Sequence, residues 1–237
     1  MTGLTEILFV AILGVDLLLV AASRLLHCIR LVAVQGFLLG ILPLVMWNWT
    51  DAPPHAELIF IAAVNIGLKG LVLPWLLART MRSAHVCREL EPMIGYSFSI
   101  LIALLITGGS FLFCRNIDWT GHSASLLSAP VAFSTILIGL FIIIARRKAI
   151  TQAIGFLVFE NGITIFGTGM TLEYGLIVEL GILLDVFVLV FVLVFVMGIA
   201  VFQISREFDH IDSDRLNKLG DWNETEEKNE PAEDPDL

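Results

Sequence analysis

Long runs of apolar residues, separated by short polar connections, fill the chain from its start to Gln203. Each run is about as long as the roughly 20 residues that a helix needs to cross a hydrocarbon core about 30 Å thick. The pattern therefore predicts an all-α polytopic membrane protein with about seven transmembrane helices. The predicted spans are Leu4 to Ala22, Leu31 to Trp49, Leu58 to Ala78, Ile94 to Cys114, Ala124 to Ala145, Ala149 to Thr171 and Gly175 to Phe202.

The composition favours the membrane over a soluble core. Hydrophobic residues make up 57% of the chain and its mean hydropathy is +0.87, whereas soluble domains are about 45–50% apolar. The first apolar run has no basic segment before it and no small-residue cleavage site after it. We therefore expect it to be a retained helix and not a signal peptide.

Basic residues collect in alternate connections, which predicts the orientation. The remaining connections hold only Arg115. By the positive-inside rule, the N-terminus lies outside and the C-terminus lies in the cytoplasm, so we expect a multi-pass protein of the cell inner membrane. The basic residues predicted to lie in the cytoplasmic connections are Arg24, Arg30, Arg79, Arg82, Arg88, Arg146, Arg147 and Lys148.

The net charge of −9 comes almost entirely from the C-terminal tail. Residues 206–237 carry twelve acidic and four basic side chains, a net charge of −8. Dense charge with few apolar residues predicts disorder. The chain thus divides into a seven-helix membrane domain, residues 1–205, and an acidic cytoplasmic tail that either keeps the end soluble or docks on a basic surface of a partner.

Five charged residues stand out deep inside the predicted spans: Asp16, Lys69, Glu160, Glu179 and Asp185. An ionised carboxylate at mid-membrane costs roughly 2.5–3.5 kcal/mol even on the lenient insertion scale, so such residues mark proton or ion pathways. An unpaired ammonium is as costly, and we expect Lys69 either to have an acidic partner or to be deprotonated. Two structural alternatives remain: a protonated glutamic acid that holds helices together, and a lysine whose side chain extends to the membrane surface.

Polar neighbours support two of these positions, Glu160 and Lys69. Asn161 and Thr164 accompany Glu160, and Asn65 lies one turn before Lys69 on the same helix face. A weak internal repeat of residues 1–90 and 124–205 aligns Gln35 with Glu160, and Asn65 with Glu179. In this repeat the first copy has amides where the second has acids.

Other chemistry has no support in the sequence. The three cysteines are dispersed, and no Walker loop, dinucleotide fingerprint or nucleophile elbow is present. We expect no metal, no cofactor, no nucleic-acid partner and no catalytic centre in this chain.

The segments GFLVFENG (Gly155 to Gly162), VELGI (Val178 to Ile182) and GLKGLVLP (Gly67 to Pro74) resemble those of a known family. They are similar to the E-type membrane component of hydrogenase-4 and related formate hydrogenlyase complexes. The C-terminal half of that family is in turn similar to the K subunit of NADH-quinone oxidoreductase and to the C subunit of multisubunit cation/proton antiporters. The resemblance matches Glu160 and Glu179 to a pair of membrane glutamates, and Lys69 to the family's lysine. The acidic tail departs from the family pattern.

The resemblance implies a non-catalytic membrane subunit that lies between a hydrogenase-like or quinone-reductase-like module and antiporter-like subunits. Its buried charges would form part of a proton or sodium path coupled to redox chemistry in other chains. Two alternatives stay open: a subunit of a redox-independent cation/proton antiporter, and a purely structural scaffold. The sequence leaves the ion, the direction of coupling and the stoichiometry undetermined.

Overall fold

The computed structural model describes residues 2–47, 56–83, 95–116, 125–146 and 149–169, and scattered residues between 186 and 198. All of the long elements in these ranges are helices. In lipid this is the expected outcome, because a helix satisfies its backbone hydrogen bonds within one segment. The elements are α1 (Thr2–Ala21), α2 (Leu25–Met46), α3 (Ala56–Asn65), a π-helical segment (Ile66–Val72), α4 (Leu73–Ser83), α5 (Tyr96–Arg115), α6 (Ser128–Ala145) and α7 (Ala149–Gly169).

Six helical stretches of the described residues are long and apolar enough to cross a membrane, as expected of a multi-pass membrane protein. Each overlaps one of the first six predicted spans. The seventh, Gly175 to Phe202, lies almost entirely outside the described residues, and so do Glu179, Asp185 and the acidic tail. The six stretches are Gly3–Ala21, Leu25–Met46, Leu58–Arg79, Tyr96–Arg115, Ser128–Ala145 and Ile150–Gly169.

The predicted boundaries are wrong at several arginines. Helix α2 begins at Leu25 and not at Leu31, because Leu25, Cys28 and Ile29 are buried and continue the apolar face of the helix. Arg30 therefore lies on the exposed side of α2 and not in a connection. Arg79 and Arg82 lie within α4, and Arg115 is the last residue of α5.

Helices α6 and α7 form a closely packed hairpin. Gly155, Gly162 and Gly169 recur every two turns of α7 and therefore share one face. A Cβ added to Gly162 would lie 2.6 Å from the backbone nitrogen of Ile136, and one added to Gly139 would meet the backbone of Phe159. Glycine is thus required where the two backbones approach.

The third span is interrupted by the π-helical segment Ile66–Val72. Here the backbone N–H of Leu73 donates to the carbonyl of Leu68, five residues earlier, where an α-helix would use the fourth. Pro74 has no N–H and cannot restore the α-helical pattern at the next position. Lys69 lies at the centre of this segment.

Candidate functional site

Lys69 and Glu160 form a buried ion pair between the third and sixth spans. Lys69 Nζ donates hydrogen bonds to Glu160 Oε1 and, over 2.6 Å, to Thr164 Oγ1. The Thr164 hydroxyl lies 3.1 Å from Glu160 Oε1, so it also reaches the carboxylate. Only 3% of the Lys69 side chain and 1% of the Glu160 side chain are exposed. Lys69 therefore has an acidic partner, which is the first of the two possibilities that the sequence left open.

The backbone of α2 holds Lys69 in place. A Cβ added to Gly36 would lie 2.5 Å from the carbonyl carbon of Lys69, and one added to Gly40 would meet the side chain of Ile66. Gly36 and Gly40 are one helical turn apart and therefore form a flat surface against the π-helical segment. On the opposite side of the pair, the contact of Gly139 with the backbone of Phe159 fixes the turn of α7 that carries Glu160.

A second carboxyl group, Asp16 of α1, lies in the same interior. Gln35 Nε2 donates to Asp16 Oδ1 over 2.7 Å, and Thr135 Oγ1 donates to Asp16 Oδ2 over 2.6 Å. The side chains of Asp16, Gln35 and Thr135 have no exposed surface. Three helices, α1, α2 and α6, thus meet at this carboxyl group.

An amide pair connects the two carboxyl sites. Asn161 Nδ2 donates to Gln35 Oε1 over 3.2 Å, and Asn161 directly follows Glu160 in α7. We call Asp16, Gln35, Thr135, Asn161, Glu160, Lys69 and Thr164 the polar layer. It draws on α1, α2, α6, α7 and the π-helical segment.

Apolar side chains close the Asp16 part of the polar layer on both sides. This part consists of Asp16, Gln35, Thr135 and Asn161, which lie on α1, α2, α6 and α7. Each of the four has a buried apolar residue or a glycine one turn away in both directions along its own helix. On one side these belong to a packed cluster with Phe9 and Leu42. The residues of the first side are Ile12, Leu39, Val131 and Ile165, and those of the second side are Val20, Leu31, Gly139 and Leu157.

Most of the residues predicted for the site are brought together by the fold. Asp16, Gln35, Lys69, Glu160, Asn161 and Thr164 all belong to the polar layer. Asn65 is also buried, one turn before Lys69. Glu179 and Asp185 lie outside the described residues, so their place in the site stays a prediction.

Three features of this interior were not predicted. Thr135 binds Asp16, and its neighbour Ser134 forms a 3.0 Å hydrogen bond with Thr107 of α5. Hydroxyl side chains in the middle of an apolar span were the available signal, but they are common in membrane helices. Arg146, predicted as a residue of a cytoplasmic connection, is buried at the end of α6, donates to the carbonyl of Val20 over 3.1 Å and lies over the ring of Tyr96.

The polar layer can hold protons at three places. Carboxyl and amine groups exchange protons, whereas neutral amide side chains only donate and accept hydrogen bonds. A proton can therefore reside on Asp16, Glu160 or Lys69, and Gln35 and Asn161 orient these groups. Among the described residues, no group of three or more histidine, cysteine, aspartate or glutamate side chains could hold a metal ion.

Comparison with known proteins gives a relative but no activity. No protein-family profile matches the chain, and no solved structure matches it. An uncharacterized protein of Mycobacterium tuberculosis, Rv0085, is 34% identical over 194 residues, which cover 81% of this chain and 85% of that protein. The chain therefore belongs to the same protein family as Rv0085 of Mycobacterium tuberculosis.

Proposed function

We propose that this protein is a non-catalytic membrane subunit of an energy-converting complex of the hydrogenase-4 or formate hydrogenlyase type. Its polar layer would form part of the path along which protons or sodium ions move while redox chemistry takes place in other subunits. Its neighbours would be antiporter-like and hydrogenase-like or quinone-reductase-like membrane subunits. Two observations support the proposal. The segments around Lys69 and Glu160 resemble those of that family, and the fold brings these two residues together.

The ion pair between Lys69 and Glu160 is the observation that carries this proposal. It lies near the middle of the third and sixth spans, where a charge is most costly to keep. A structural contact needs only a neutral hydrogen bond, so a full ion pair favours a role in which charge changes. The π-helical segment around Lys69 supports the same interpretation, because π-bulges occur frequently at functional sites.

The proposed topology has seven spans, an exterior N-terminus and a cytoplasmic acidic tail. It rests on the basic residues of alternate connections and on the apolar run Gly175 to Phe202. In sealed vesicles of known orientation, protease added to the cytoplasmic face should remove residues beyond about Asp212 and leave the helices intact. Cleavage of the tail from the opposite face would overturn this topology.

The variant Glu160→Gln tests the function. Glutamine keeps the shape and the hydrogen-bonding capacity of the side chain but cannot titrate. In the complex reconstituted into vesicles, we expect redox-driven ion translocation to fall at least tenfold while the amount of assembled complex is unchanged. Translocation at the wild-type rate would show that Glu160 is not in the path.

One observation favours a second candidate, a structural scaffold. The apolar layers on both sides of Asp16 separate this part of the polar layer from the membrane surfaces, and buried polar contacts also specify how helices pair. Translocation at the wild-type rate by the assembled Glu160→Gln complex would favour the scaffold. Purification of the tagged chain from native membranes separates the proposal from the antiporter alternative. Hydrogenase subunits bound to it support the proposal, whereas antiporter subunits without them favour a redox-independent cation/proton antiporter.

A further inference from the structure

Asp16 differs from Glu160 in the charge of its surroundings. The partners of Asp16 are the amide of Gln35 and the hydroxyl of Thr135, and both are neutral. Within the described residues no cation pairs with Asp16, whereas Glu160 has Lys69. A fully buried carboxylate without a counter-charge is strongly unfavourable. If Asp16 and Glu160 are both ionised, the polar layer holds two negative charges and one positive charge, that of Lys69.

The remaining charged groups near α1 do not supply the missing cation. Helices α2, α5 and α6 pack against α1. Arg146 contacts α1, but its guanidinium binds the carbonyl of Val20, one turn beyond Asp16. Asp16, Gln35 and Thr135 accept no hydrogen bond from the guanidinium of Arg146. The other titratable or charged side chains described on or next to α1 and these helices are Glu6, Arg24, His27, Cys28, Arg30, Tyr96, Cys114 and Arg115.

We propose that Asp16 holds an exchangeable proton while Lys69 and Glu160 form their ion pair, so that it is a proton-binding site separate from that pair. The proton supplies the positive charge that the surroundings lack. It fits without any movement of heavy atoms. Asp16 Oδ2 lies 2.6 Å from Thr135 Oγ1, and a hydroxyl group accepts a hydrogen bond as readily as it donates one.

The geometry favours a proton over a sodium ion. A hard cation binds only oxygen ligands, and several of them. One carboxylate oxygen of Asp16 faces the N–H group of Gln35 instead, and the oxygen of Gln35 is occupied by Asn161. A sodium ion would require both amides to turn, whereas a proton requires no rearrangement.

The amide pair keeps the two sites distinct. Gln35 and Asn161 lie between Asp16 and Glu160, and neutral amides do not store a proton. The sites therefore interact through their charges and through the orientation of the shared hydrogen bonds. This inference rests on the proposed function for the use of the proton, since a subunit in an ion path would then hold two separately loaded sites.

Infrared spectroscopy of the full-length protein in lipid nanodiscs tests the proposal. We expect the wild-type protein at neutral pH to show a protonated-carboxyl band that shifts in D₂O, is lost in Asp16→Asn and persists in Glu160→Gln. An unchanged band intensity in Asp16→Asn, or a band that does not shift in D₂O, would overturn the proposal. Wild-type transport by Glu160→Gln together with an exchanging Asp16 band would defeat the proposed function and leave this inference standing.

A second measurement needs no variant. A hydrophobic carbodiimide reacts with a protonated carboxyl group: the acid O–H adds across one C=N bond, and the acyl group then moves to nitrogen to give a stable N-acylurea. Mass spectrometry should find this adduct on Asp16 and at least tenfold less on Glu160, with labelling that falls as the pH rises and is unaffected by Na⁺. Protection by Na⁺ at constant pH would overturn the assignment to a proton.

Discussion

Lys69→Met should destabilise the protein more than any other single substitution in the polar layer. Methionine has a similar length but neither a charge nor a hydrogen-bond donor, so the carboxylate of Glu160 loses its ion-pair partner in the membrane interior. The amide oxygen in Glu160→Gln can still accept a hydrogen bond from Lys69, so that variant should be destabilised less. Removing one member of a buried ion pair typically costs about 3–5 kcal/mol of unfolding free energy. Ion translocation by the assembled complex should also be lost. Thermal unfolding of the purified subunit and flux in vesicles measure the two effects.

The double variant Lys69→Met/Glu160→Gln is the matched control. It removes both charges, so the buried carboxylate no longer lacks a partner, and stability should recover most of what the single variant loses. Translocation should stay abolished, because no titratable pair remains. If Lys69→Met alone fails to accumulate in membranes and the double variant transports ions, Lys69 is an assembly residue and the charge path is wrong.

The sequence was sufficient to predict which residues are costly to bury. Lys69, Glu160 and Asp16 interrupt apolar runs, and each lies in the interior. The sequence does not show which of these residues form a pair. Lys69 and Glu160 are 91 residues apart, and whether they meet depends on the rotation of two helices. The rotation is determined by glycine contacts between backbones, which the sequence reveals only as isolated glycines.

The π-helical segment shows a second limit of prediction from the sequence. Gly67, Gly70 and Pro74 indicate a weak point in the third span, but they do not indicate which hydrogen bonds shift. Arg146 shows a third, because the positive-inside rule assigns a connection to one side of the membrane without distinguishing a hydrated arginine from a buried one. Its contacts with Val20 and Tyr96 arise from helix packing and have no local sequence signal.

Among substitutions outside the charged residues, Gly36→Ala should have one of the largest effects. The added Cβ would lie 2.5 Å from the carbonyl carbon of Lys69, and neither helix backbone can yield by rotating a side chain. Overpacking of this kind costs about 1–3 kcal/mol. The two helix backbones would have to move apart, and this would move Lys69 relative to Glu160. Translocation should therefore fall together with the melting temperature.

Gly14→Ala is the control for Gly36→Ala. Gly14 also lies within a membrane-spanning helix, but an added Cβ there meets nothing within 4 Å. Replacing glycine by alanine inside a helix is itself stabilising by roughly 0.5–1 kcal/mol. The two variants should therefore change the melting temperature in opposite directions. Equal effects would mean that α2 does not approach the π-helical segment closely, and the positioning of Lys69 by Gly36 would have to be abandoned.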